Sequence, residues 1–208
     1  MLRKKIYLVL VLVVLAAFAA GGATYALFTD AASNQSNTFT AGTVEIGADR
    51  DLGDPIPGPM FYTTRDEGNF AGHPGWPDHA TGFWCPGMSA TRQLIVYNTG
   101  TLNVQLKGVS AALSGIDDPA TAQEWAENMK VKIYVSNGGE VLYDGTMAAL
   151  LAGEAPFDHA VFIGAQPGVM PPPNVHLSFE VTMDLAAGNN LQGLTPVLSF
   201  SVHAQQAG

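Results

Sequence analysis

Cysteine is almost missing from this chain. Cys85 stands alone, so no disulfide can form within one molecule and packing alone must hold the fold together. Its neighbours in "GFWCPGM" include no base or cation to lower a thiol pKa, which argues for a buried or half-buried structural thiol, with intermolecular pairing as the alternative, rather than a nucleophile. Basic residues are scarce as well. Nine Lys and Arg face eighteen Asp and Glu, for a formal charge of −9, and such a surface has little with which to neutralise phosphates, so nucleic acid is a poor partner. Only 13% of residues carry any charge. The one long apolar run, residues 6–20, is shorter than the roughly twenty residues that span a bilayer.

That run lies at the N-terminus and has the parts of an export signal. Arg3, Lys4 and Lys5 supply the positive segment, the apolar stretch follows, and Gly21 and Gly22 end it. Thr24-Tyr25-Ala26 places small residues at the −3 and −1 positions of a peptidase site, so cleavage is expected between Ala26 and Leu27. An uncleaved anchor is the alternative. Without the three leading cations, six basic residues (Arg50, Arg65, Arg92, Lys107, Lys130 and Lys132) remain and the formal charge falls from −9 to about −12. The remaining chain is long enough for one domain with a real core.

Apolar and polar residues alternate along much of that chain. Leu102, Val104 and Leu106 share one face of "LNVQLKGV", and Met129, Val131, Ile133 and Val135 do so in "MKVKIYVS". "VHLSFEVTMDL" repeats the pattern from Val175 to Leu185, and "VLSFSVHA" sets Leu198, Phe200 and Val202 together. A period of two is that of half-buried strands. Asn98-Thr99-Gly100, Asn137-Gly138-Gly139 and Gly188-Asn189-Asn190 supply turns between the runs. Two helices are expected in connections, one from Pro119 to Met129 with Asp118 as its cap, the other in "TMAALLAG". The fold class that follows is all-β, an antiparallel sandwich of jelly-roll type with one or two short helices.

Residues 48–90 break the pattern. They are rich in Pro and Gly and hold Phe61, Tyr62, Phe70, Trp76, Phe83 and Trp84. A long irregular loop is expected there, its aromatics packed on this domain or on a neighbouring molecule.

The order of these features resembles the TasA/CalY/camelysin family of Gram-positive exported proteins. Phe28-Thr29-Asp30 matches that family's aromatic-(Ser/Thr/Asn)-Asp start, and "NTFTAGT", Asn37 to Thr43, its "NTF-AGT" strand. Pro86-Gly87-Met88 and Asn98-Thr99-Gly100-Thr101-Leu102 stand where the family has a Pro-Gly-Asp turn and an Asn-x-Gly-Ser-Leu strand start. Met88 and Glu45 replace common Asp residues, and the 48–90 loop is long. The resemblance implies a signal (1–26) cut by a SipW-type peptidase and a donor-strand segment (27–37), followed by a jelly-roll domain (38–208). It also implies a secreted homopolymer that forms extracellular fibres of a biofilm matrix, with an accessory matrix or anchoring protein as a further partner. Membrane attachment is not expected after cleavage. Leu27, Phe28, Thr29 and Asp30 would then enter a neighbouring subunit, and Phe39 is the second large apolar anchor nearby.

Camelysin-like members also imply an alternative, a metallo-endopeptidase. The residues give it little support. No His-Glu-x-x-His occurs among His73, His79, His159, His176 and His203, and that spacing is what sets two imidazoles and a carboxylate on one metal. "HPGWPDH" comes nearest, with His73, Asp78 and His79. His176 and His203 fall on the polar phase of two strands and would approach one another if those strands paired. Neither Gly-x-Ser-x-Gly nor a phosphate loop is present, so neither a catalytic residue nor a cofactor is expected. A surface- or sugar-binding module is a second alternative, suggested by the loop's Trp and Tyr.

Overall fold

The computed structural model describes residues 29–33, 44–50, 56–75, 79–136, 138–166 and 168–207. Among them nine strands and two α-helices form, in the order β1 (Thr29–Ser33), β2 (Ile46–Arg50), β3 (Ser89–Asn98), β4 (Val104–Ser114), α1 (Pro119–Glu127), β5 (Met129–Val135), β6 (Val141–Thr146), α2 (Met147–Ala152), β7 (Ala155–Ile163), β8 (Asn174–Met183) and β9 (Val197–Gln206). One sheet has the order β1-β9-β4-β7 and the other β2-β3-β8-β5-β6. All the pairings are antiparallel. If β2 is set aside as an added edge strand, the remaining strands pair first with last and inward from there: β1 with β9, β3 with β8, β4 with β7, β5 with β6. This nested order is a jelly roll. The expected all-β antiparallel sandwich with short helices is therefore the observed architecture.

Alternation decides which side chains meet between the sheets. Met129, Val131 and Ile133 of β5 face inward, as do Leu177, Phe179, Val181 and Met183 of β8 and Leu198, Phe200 and Val202 of β9, all of them buried. Phe179 and Phe200 bridge the two sheets with ring centres 4.8 Å apart. Each such side chain contributes about 1.5–3 kcal/mol on burial. Two departures from strict alternation have local causes. A bulge between Leu106 and Gly108 resets the phase of β4 so that Val109 is buried. Leu185, expected to continue the inward row of β8, is 82% exposed, because the strand ends at Met183 and Asp184 turns the chain by accepting from Ala186 N–H at 2.9 Å.

Both helices sit in connections. Asp118 caps α1 by accepting from Thr121 N–H at 2.8 Å, and Trp125 on its inward face is fully buried. Thr146 caps α2, which buries Met147 and Leu150. At the opposite end, Asn98 ties the β3–β4 turn to the end of β7. Its Nδ2 reaches the carbonyls of Leu102 at 2.8 Å and of Ile163 and Gly164 at 3.2 Å, while its Oδ1 accepts from Gly100 N–H at 2.9 Å.

Candidate functional site

Strand β1 forms one edge of the four-stranded sheet. It is short, "TDAAS", without one large apolar residue, so main-chain pairing must supply most of its attachment. The register runs Thr29↔Gln205, Asp30↔Ala204, Ala31↔His203, Ala32↔Val202 and Ser33↔Ser201. Strand β9 uses its other edge to pair with β4 along its whole length. Its inward residues Phe200, Val202 and Ala204 belong to the core, so the edge that receives β1 is held in place by the sandwich. Thr29 and Asp30 thus lie in a paired edge strand of their own chain. Ala26, Leu27, Phe28 and Phe39 lie outside the described residues, as do the export signal and most of the segment between β1 and β2.

The second feature is the long connection between β2 and β3. Strand β2 takes the first residues of the expected loop, Ala48 to Arg50, and β3 takes Ser89 and Ala90. The described residues of the rest fold back into their own domain. Phe61 and Trp84 enter the main core, and the Phe61 main chain bridges to Leu198 of β9. Trp84 meets Trp125 of α1 edge to face at 6.3 Å. Tyr62, Phe70 and Ile56 form a separate small core. Phe83 is 61% exposed, and Trp76 lies outside the described residues.

Two arginines hold this loop, and sequence reasoning missed both. Arg50 and Arg92 occupy inward phases of β2 and β3 and are almost fully buried. The Arg50 side chain donates to Pro59 O at 2.6 Å and Gly68 O at 2.8 Å, and its guanidinium lies over the Tyr62 and Phe70 rings. Arg92 lies over Tyr62 and donates to His79 O at 3.2 Å. The signal was available: Ile46, Ala48 and Arg50 are in phase, as are Arg92, Leu94 and Val96. A cation in an inward phase calls for carbonyls and ring faces to receive it. Glu67 closes the same loop by accepting from Thr63 N–H at 2.8 Å, Thr63 Oγ1 at 2.6 Å and Thr64 N–H at 2.9 Å. Burial pushes its carboxyl up, but these bonds together hold it below the usual value.

Among the described residues no group of three or more His, Cys, Asp or Glu is placed to hold a metal ion. His73 is exposed in a turn, and Asp78 lies outside the described residues. His79 is half-buried; its N–H donates to the Tyr62 hydroxyl at 3.2 Å, and its Nε2 is buried with no hydrogen-bond partner among the described residues. His176 and His203 do not approach through strand pairing, because β8 and β9 belong to different sheets. His203 instead bonds Ser110 through Nε2 at 2.8 Å. Cys85, expected to be buried or half-buried, is exposed; Trp84 takes the inward position and leaves its neighbours Phe83 and Cys85 facing out. Among the described residues no helix is long and apolar enough to cross a membrane.

Comparison with known proteins adds little to this geometry. No family profile and no curated protein matches the chain. Among solved structures, a GH31 α-xylosidase from Xanthomonas citri is similar at 8% identity and a TM-score of 0.23, over 86% of this chain and 16% of the enzyme. At that TM-score the likeness carries no argument about fold or activity.

Proposed function

We propose that this chain is a secreted structural subunit that polymerises by pairing its N-terminal strand with the β9 edge of another copy, building extracellular fibres as its resemblance to the TasA/CalY/camelysin proteins implies. The observation that supports this reading is the place of β1: an edge strand near the N-terminus, joined to the sandwich through β9. A donor strand needs that position. It must leave without breaking the core, and "TDAAS" contains no large apolar residue. Exchange replaces each main-chain bond within a subunit by the same bond between subunits, so swapping is a low-cost route to association. Because donor and acceptor are different surfaces, the contact is heterologous and extends head to tail into an open filament.

The test compares the chain beginning at Leu27 with one beginning at Thr38, which lacks β1. Electron microscopy of the longer chain is expected to show fibres, and the shorter chain is expected to remain a soluble monomer that binds a peptide of residues 27–37. Fibres of unchanged repeat and thickness from the shorter chain would overturn the proposal.

A further inference from the structure

A cavity of about 450 Å³ opens on the outer face of the five-stranded sheet. This size lies within the roughly 300–1,000 Å³ typical of small-molecule sites. Its floor is Ile95 and Tyr97 of β3, and Met170 and Pro171 form an apolar wall. Asp49 and His176 are the Cα partners of Ile95 on its two sides, so a carboxylate and an imidazole flank the floor from strands about 10 Å apart, twice the strand spacing. Asn174, the partner of Tyr97, adds an amide at the rim.

The floor is fixed in place. The Tyr97 ring leans across β2 onto Gly47, where an added Cβ would come within 2.3 Å of ring Cε2. This tilt carries the phenol toward Asp49. Burial first, and then the Asp49 charge and hydrogen bond, push the Tyr97 pKa up. Among the described residues no Lys or Arg lines the cavity, and the chain as a whole carries −9, so acidic ligands are repelled. An apolar floor with polar groups spread around its edge suits a pyranose ring, which has an apolar face and hydroxyls at its circumference. A single basic side chain would need only the one carboxylate.

We infer that this cavity binds a hexose unit of a polysaccharide, preferring an amino sugar whose ring rests on Tyr97 and Ile95 and whose protonated amine is held by Asp49. The inference is independent of polymerisation. Calorimetry on the full mature chain would use four probes: a glucosamine tetramer, its N-acetylated counterpart, a galacturonic acid tetramer and tetralysine. The glucosamine tetramer is expected to bind best and the galacturonic acid tetramer not at all. Asp49→Asn, which preserves size, and Tyr97→Ala are each expected to weaken glucosamine binding by at least about tenfold. Failure of both saccharides to bind, equal binding of the acidic tetramer, or affinity unchanged in both variants would overturn the inference. Equal affinity for the acetylated tetramer would overturn the role of the amine, and tighter binding of tetralysine would reassign the cavity to a basic peptide.

Discussion

The guanidinium carbon of Arg50 lies 4.7 Å from the centre of the Phe70 ring, and Nη2 of the same side chain donates to Gly68 O at 2.8 Å. One residue of an edge strand therefore holds a loop whose own sequence contains little regular structure. Arg50→Met keeps the length of the side chain but loses its donors and charge. It leaves buried carbonyls of Pro59 and Gly68 without that partner, at a cost of about 2–4 kcal/mol. Urea unfolding should show this loss, and limited chymotrypsin digestion should begin cutting at Tyr62 and Phe70. Unchanged stability together with unchanged digestion would contradict the role given to Arg50.

Asn98 makes a comparable set of bonds at the other end of the sandwich. Asn98→Leu is expected to lower stability by about 2–3 kcal/mol, since a buried side chain that serves three carbonyls and one N–H is replaced by one that serves none. Hydrogen exchange should become faster at Gly100, whose N–H loses its acceptor. Protection at Gly100 equal to that of the parent would count against this account.

The proposed exchange of β1 can be tested by chemical trapping. Ala31 and His203 are Cα partners across the β1–β9 pair, so Ala31→Cys with His203→Cys, in a Cys85→Ser background, places two thiols opposite each other. If β1 is donated to a neighbour, oxidation of assembled protein should give a ladder of covalent oligomers on a non-reducing gel. Closed monomers alone would mean that each subunit keeps its own strand.

Acid should loosen the long loop through Glu67. Its folded pKa is below the ordinary value of 4.5, so the stabilisation it supplies is complete above that value and is lost as pH falls through the folded pKa. The parent is expected to be more stable than Glu67→Gln near neutral pH, with the difference shrinking as pH drops below 4.5. Urea midpoints across that range provide the measurement, and a gap that stays constant would rule out the linkage.

Casein incubated with the mature chain and zinc should remain intact, and a chelator should leave the melting temperature unchanged. His73 is exposed in a turn and His79 keeps its Nε2 buried, so these two do not present a joined pair of ligands. Zinc-dependent cleavage that a chelator abolishes would restore the endopeptidase reading.

The elements readable from sequence were those with one face in the core and one in water. Strands β5, β8 and β9 alternate because their outer residues meet solvent or polar neighbours, and α1 announces itself through Asp118-Pro119. Strand β3 hides its period because Ile95 and Tyr97 on its outer face are also apolar, as the floor of a cavity requires. Strand β7 is concealed for the opposite reason: as an edge strand it buries only Val161 and Ile163. In β2, Gly47 and Asp49 look like turn residues and Arg50 like a surface cation, yet the first makes room for a ring, the second lines the cavity and the third anchors the loop. The jelly-roll order itself rests on pairings between strands far apart in the chain, which no local pattern records.

The β1–β9 pair joins the first and last described strands, Thr29 to Gln205. Among the described pairings it is the longest loop closure, and closures of this span cost entropy and form slowly. A β9 edge can accept a strand as soon as β4 has paired beside it, whereas its own β1 must return from the far end of the molecule. During folding there is thus an interval in which the acceptor edge is complete and unoccupied. If strands are exchanged as proposed, another copy's N-terminus competes for that edge on equal chemical terms at high local concentration, and the outcome is decided by arrival time rather than by affinity.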